Sequence, residues 1–240
     1  MPSEPEPLTF RAAASALAAI GRRFYGRGWA VGTSGNFSAV LSRRPLRLAI
    51  TSSGSSKRNL ASADILRCDE HGRAIGSDRR KPSAETLIHL ELARRGEGAV
   101  LHTHSVWSTM LSDRHGAAGG LLIEGYEMLK GLGGVTSHDH REWIPILEND
   151  QDMRQLSQVV ADTLARHPSA HAFLLRRHGL YTWGATLKEA ERHVEILEFL
   201  FKTIGPSNLS NPSNPSNLSN LSNLSNPSNE EASHGDTENS

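Results

Sequence analysis

Apolar positions along this chain recur with two periods, one helical and one extended. Over residues 9–23 the larger apolar side chains, Phe10, Leu17 and Ile20, continued by Phe24, share a helical spacing with Ala between them, and Gly26-Arg27-Gly28 ends the run. Ser83 suits the N-cap of a helix over 84–94, and 105–111 is a second short helix. Residues 151–166 are amphipathic, apolar at Met153, Leu156, Val159, Val160 and Leu164. Thr186, with Glu189 three residues on, forms a capping box for a last helix through Thr203. The short apolar runs 46–50, 98–101, 171–176 and 179–183 predict strands, and 65–76 predicts a hairpin turning at Glu70-His71-Gly72. The run 143–147 contains Pro145, which has no N–H for a ladder, and predicts an edge strand. Helices and strands in this order predict an α/β domain with helices packed on a mixed sheet.

From Gly205 the pattern gives way to Ser-Asn-Leu and Ser-Asn-Pro triplets and an acidic end without aromatics. Such a stretch cannot bury enough apolar surface to fold, so 205–240 is expected to be a disordered tail behind one domain over 1–204. At 240 residues, 37% apolar and 22% charged, the chain has room for one core. Its formal net charge of zero argues against a nucleic-acid or anionic-membrane partner. No apolar run approaches the ~20 residues of a membrane span. The acidic, Pro-rich residues 1–7 are unlike a secretory signal. Cys68 is the only cysteine, which excludes an intrachain disulfide and agrees with a reducing compartment, so a cytoplasmic location is expected.

The candidate chemistry sits at strand ends. His102 and His104 close the run 98–101 and, two residues apart on a strand, point the same way. A bare His-x-His is as readily a hydrogen-bonded surface pair, but His178 ends a second apolar run, 172–175, before Gly179. Three imidazoles with a position left for water or substrate are the ligand pattern of a catalytic zinc. The small-residue loops 32–38 and 51–57 and the Pro82-Ser83 turn offer hydroxyl and backbone donors suited to a phosphate. Any one alone would be an ordinary loop. Glu85 suits the first turn of the helix that follows it, where a carboxylate complements the dipole. Glu127 and Lys130 share a face if their segment is helical, as a surface pair would.

Taken in order, Gly35-Asn36-Phe37-Ser38, Thr51-Ser52-Ser53-Gly54, Lys81-Pro82-Ser83-Ala84-Glu85, His102-Thr103-His104-Ser105 and Arg177-His178-Gly179 resemble the signature of the class II aldolase and adducin family over about 8–203. The resemblance implies an α/β/α sandwich with a central, mostly antiparallel sheet and a homotetramer. It implies one zinc per subunit on His102, His104 and His178, and a sugar-phosphate substrate whose phosphate sits near Asn36, Thr51, Ser53, Gly54 and Ser83. Glu127-Met-Leu-Lys-Gly131, Pro145-Ile-Leu-Glu-Asn149 and the segment 176–184 are most similar to the family's dehydratases. That similarity implies loss of water from a 2-keto sugar phosphate, with Glu127 as acid/base and Glu85, the matching aldolase carboxylate, as alternative. Retro-aldol cleavage is the competing activity, and a non-enzymatic interaction module, which has no use for three histidines, is the third reading. The chain departs from the family's aldolases in having Ala84 where a second Ser is usual. It has no clear fourth zinc histidine; His138 and His140 lie in a loop.

Overall fold

The computed structural model describes residues 8–76 and 80–210, with the side chains of 206–210 excepted. Eight strands form one sheet: β1 (Asn36–Arg43), β2 (Leu46–Thr51), β3 (Ile65–Cys68), β4 (Ala99–Thr103), β5 (Gly120–Glu124), β6 (Arg141–Leu147), β7 (Ala172–Leu175) and β8 (Gly179–Gly184). Their order is β3-β2-β1-β4-β8-β7-β6-β5, and every pairing is antiparallel except β6 with β7. Among the described residues five α-helices cover it: α1 (Phe10–Gly26), α2 (Thr86–Arg94), α3 (Val106–His115), α4 (Met153–Arg166) and α5 (Leu187–Ser210).

Residue parity on the strands decides which helix lies where. Phe37, Ala39, Leu101 and Leu180 face α1, α3 and α5, whereas Val100, Tyr181, Phe173 and Leu175 face α2 and α4. The result is the α/β/α sandwich with a mostly antiparallel sheet. Local capping follows the sequence: Thr9 Oγ1 accepts from Ala12 N–H, Asp152 Oδ1 from Arg154 and Gln155 N–H, and Thr186 Oγ1 from Glu189 N–H.

Four expectations change. Ser83 does not cap α2 directly; the helix starts at Thr86, because Ser83 Oγ accepts from Glu85 N–H and its carbonyl from Thr86, a turn ahead of the helix. β6 is interior rather than an edge, since β5 pairs beyond it. Ile146 N–H reaches Gly119 O on the β5 side, so the N–H that Pro145 lacks would point towards β7. There the ladder extends only to Ile146 and Leu147, and the proline leaves no donor orphaned. β1 and β5 arise where the sequence reads as small-residue loop and link. Lastly, α5 runs past Thr203 to Ser210, so the expected tail boundary at 205 falls within a helix, and the rest of that expected tail lies outside the described residues.

Candidate active site

β4 is the central strand of the site. It pairs with β1 through Asn36↔His102 and with β8 through His102↔Tyr181. His102 lies on the α2 face, fully buried, its ring stacked on Tyr181 at 3.9 Å. His104 lies just beyond the strand, fixed by its N–H donating to Trp29 O at 2.7 Å. His178 occupies the tight connection between β7 and β8. Arg177 before it takes a left-handed φ of 57°, a conformation costing a side-chain-bearing residue about 1–2 kcal/mol. The connection is held by Arg177 N–H to Ser112 Oγ at 3.0 Å and by Thr109 Oγ1–H to His178 O at 3.0 Å, both from α3.

Two glycines let these strands meet. A Cβ on Gly35, whose φ is 72°, would sit 2.7 Å from His102 O, and one on Gly179 would sit 2.0 Å from Thr103 O. Neither position admits a side chain.

The three histidines converge through Nε2. His102 and His104 approach to 2.7 Å, His104 and His178 to 3.1 Å, and His102 and His178 to 3.3 Å. Burial lowers all three pKa values: well below the ordinary imidazole range for His102, to about 3 for His104, and downward for His178. The rings are therefore neutral at pH 7. His102 Nδ1 lies 2.9 Å from Leu180 O, which can only accept, so Nδ1 carries the proton and Nε2 presents a lone pair. His178 Nδ1 likewise faces Asn149 Oδ1 at 3.3 Å. Lone pairs aimed at one another repel unless a cation lies among them, and a ring N–H given to a carbonyl is how ligand histidines are held. The donor set fits a metal with three nitrogen ligands and an open position.

Glu85 closes this group, with Oε2 3.4 Å from His102 Nε2 and Oε1 3.4 Å from His178 Nε2. Its orientation comes from a buried relay that sequence reading missed. Ser38 Oγ–H donates to His89 Nδ1 (2.7 Å), His89 Nε2–H to Asn36 Oδ1, and Asn36 Nδ2–H to Glu85 Oε2. His89 is wholly buried, and burial lowers its pKa to about 4, so it serves as a neutral relay. Its only signal in the sequence is its place four residues after Glu85, one turn along α2.

Beside the histidines opens a cavity of about 380 Å³. Of the residues expected at the site, Asn36, Ser53, Gly54, Ser83 and Glu85 line it, and Ser52, Lys57, Asn149 and Gln151 join them. Lys57 is buried, donating to Thr33 O and Ser55 O at 3.0 Å each, and burial lowers its pKa to about 8. Two expected residues stand elsewhere. Thr51 Oγ1 accepts from Phe37 N–H at 3.2 Å, so its hydroxyl serves the β1–β2 junction. Glu127, in a 3-10 turn over Glu127–Gly131, is exposed, paired with Lys130 and outside this cavity. Asn36 lines the cavity, but its carbonyl and one amide N–H are committed to the relay.

Comparison with known proteins supports the fold and identifies the family. The methylthioribulose-1-phosphate dehydratase of Methylococcus capsulatus is 45% identical over 194 residues, covering 80% of this chain and 92% of that protein. The dehydratase of the same name from Pseudomonas aeruginosa is 45% identical over 184 residues, 76% of this chain and 88% of that protein. Among solved structures, YgbL from Escherichia coli matches with a TM-score of 0.67 at 30% identity, over 81% of this chain and 89% of that one. L-fuculose-1-phosphate aldolase from Thermus thermophilus shares the fold, with a TM-score of 0.64 at 24% identity over 83% and 96% of the two chains. The profile of the Class II Aldolase and Adducin N-terminal domain matches residues 15–204, and the chain belongs to that family.

Proposed function

We propose that this chain dehydrates 5-methylthioribulose 1-phosphate to 5-methylthio-2,3-dioxopentyl phosphate, a step of methionine salvage in the cytoplasm. The observation that carries the reading is the meeting of three neutral imidazole Nε2 atoms and the Glu85 carboxylate at a cavity lined by hydroxyls and one lysine. The relatives named above support the choice of dehydration over aldol cleavage, and of this substrate over other sugar phosphates.

His102, His104 and His178 would hold one zinc. When bound there the ion supplies Lewis acidity, stabilising negative charge on a substrate oxygen, an effect worth several kcal/mol in a preorganised site. The rest falls to the chain. The turn over 52–54, Ser83 and the Lys57 ammonium form the wall we assign to the phosphate, where a desolvated cation and hydroxyl donors favour a dianion. That placement sets the sugar carbons between the phosphate wall and the histidines. A base removes the C3 proton, charge moves to the C2 oxygen, and the C4 hydroxyl leaves as water when an acid protonates it. The remaining enol becomes the 2,3-diketone, so one substrate gives one diketone and one water.

We assign both proton transfers to Glu127. It is exposed outside its own chain's cavity, so in this reading it acts at the site of a neighbouring copy, which requires an oligomer such as the expected homotetramer. Glu85 carries a second reading, favoured by its contacts with His102 and His178: it would be the acid/base within one chain. Incubating the zinc-loaded enzyme with methylthioribulose 1-phosphate tests the function itself. The expected product keeps the five-carbon chain as a phosphorylated diketone. Dihydroxyacetone phosphate plus an aldehyde from a sugar phosphate, without diketone, would establish the aldolase instead.

A further inference from the structure

Behind the turn that carries Glu127 lie titratable groups with no part in the reaction proposed above. Gly133, two residues past that turn, has both halves of its backbone taken by histidines. Its N–H donates to His193 Nε2 on α5 at 2.9 Å, and its carbonyl lies 2.7 Å from His171 Nε2, next to β7. The two bonds demand opposite protonation states. His193 Nδ1 faces Trp183 O at 2.7 Å and must carry the proton, so Nε2 is a bare acceptor and the ring is neutral. His171 faces acceptors on both sides, Gly133 O at Nε2 and Glu142 Oε2 at Nδ1 (2.9 Å), so both its nitrogens carry protons and the ring is an imidazolium.

Glu142 makes that charge tenable. It is buried on β6, its Oε1 accepts from the His171 backbone N–H at 3.0 Å, and His140 Nε2 lies 2.7 Å from Oε2. Contacts of 2.7–2.9 Å are those of charge-assisted N–H···O bonds. On α5, Glu189 faces both imidazoles and Arg192 faces His193, while Glu97, ahead of β4, lies within electrostatic range of His171.

We propose that His171 and His193 are positioning residues for the Glu127 turn, gripping Gly133 from opposite sides in opposite protonation states. The effect on turnover rests on the reading of Glu127 as acid/base; the effect on the turn does not.

The pH dependence has two limbs. Burial lowers the pKa of His193, so its contribution is present above the ordinary value of 6.5 and is lost as pH falls through the depressed one. Despite burial, Glu142 and Gly133 O raise that of His171, so its contribution is present below 6.5 and is lost as pH rises through the raised value. Glu142, held below its ordinary 4.5 by the imidazole and amide donors, loses its contribution only on the acid side. The grip is complete in a window bracketing 6.5.

Hydrogen exchange of the peptide spanning 127–134, corrected for intrinsic rate, tests this on the full-length zinc-loaded enzyme. Wild-type protection should peak inside the window and fall on each side by up to about tenfold per unit of pKa displacement. His171→Ala should lower protection throughout and lower kcat, with KM and zinc content little changed. His171→Gln keeps a donor for Gly133 O without the titration, so it should restore protection and flatten the alkaline limb; it also serves if the Ala variant fails to fold. His193→Gln should flatten the acid limb in the same way. Wild-type protection independent of pH, or unmoved in both His171 variants, would overturn the proposal. Protection that responds as expected while kcat does not would uphold the grip and remove Glu127 from catalysis.

Discussion

At the residue scale the site separates groups that touch the reaction from groups that hold them. His178→Ala removes one of three converging nitrogens and should lower bound zinc and activity together, read by metal analysis and turnover; full zinc occupancy in that variant would exclude His178 as a ligand. His89→Leu removes the middle of the relay and leaves Asn36 Oδ1 and Ser38 Oγ without their partner. Glu85 then loses its fixed orientation, so in the reading that makes Glu85 the acid/base kcat should fall about tenfold with zinc content unchanged, and in either reading the buried polar loss should cost about 1–3 kcal/mol in denaturant unfolding. An unaltered kcat would leave the relay a purely structural network. The convergence of the three histidines was legible in the sequence because strand alternation puts His102 and His104 on one side and His178 ends a second apolar run. His89 and Lys57 were not. Each is a lone polar residue whose role depends on a partner about 50 residues away or on the curl of a loop, and neither leaves a periodic trace.

At the scale of elements, long periodic segments were legible and short ones were not. α1, α4 and the start of α5 follow from capping residues and apolar spacing that act within a few residues. β1 was hidden because its first residues, Asn36 and Ser38, are polar, yet both are buried, their side chains bonded to His89. Burial there is satisfied by hydrogen bonds instead of hydrophobicity, a tertiary effect that no pattern of apolar residues records. The interior place of β6 was hidden because a proline forbids a ladder bond on one side only, and which side faces a partner is set by β7. The β4–β8 contact gives a test at this scale. In Gly179→Ala the new Cβ would meet Thr103 O at 2.0 Å, so the strands must part where His102 and His178 converge. Stability should drop by about 1–3 kcal/mol and zinc retention should weaken with it. A thermal midpoint equal to wild type would mean that the connection yields without strain.

For the whole molecule, the question is whether one copy holds a complete site. Glu85 lies among the histidines, whereas Glu127 stands on the surface, next to the exposed Met128 and near Val106 and Phe199, which with Trp29 and Trp107 line a second cavity of about 670 Å³. Large apolar side chains exposed together suit a contact surface, and in the reading with Glu127 as acid/base the contact made there is with another copy. The dehydratase reading with Glu127 as acid/base therefore makes a prediction that the Glu85 reading does not. Glu127→Gln alone should reduce turnover by about 10²-fold or more while zinc still binds, and His178→Ala alone should be inactive for want of metal. Co-refolded in equal amounts, the two inactive chains would form mixed oligomers. Some sites then combine the intact histidines of the Glu127→Gln chain with the intact Glu127 of its His178→Ala neighbour. Activity should return to an appreciable fraction of wild type, and chains mixed without refolding should stay inactive. A Glu85→Gln chain co-refolded with His178→Ala should recover nothing, because Glu85 and His178 serve the same site within one chain. Recovery absent from the first pair, in mixed oligomers verified by mass, with Glu85→Gln inactive by itself, would transfer the acid/base role to Glu85.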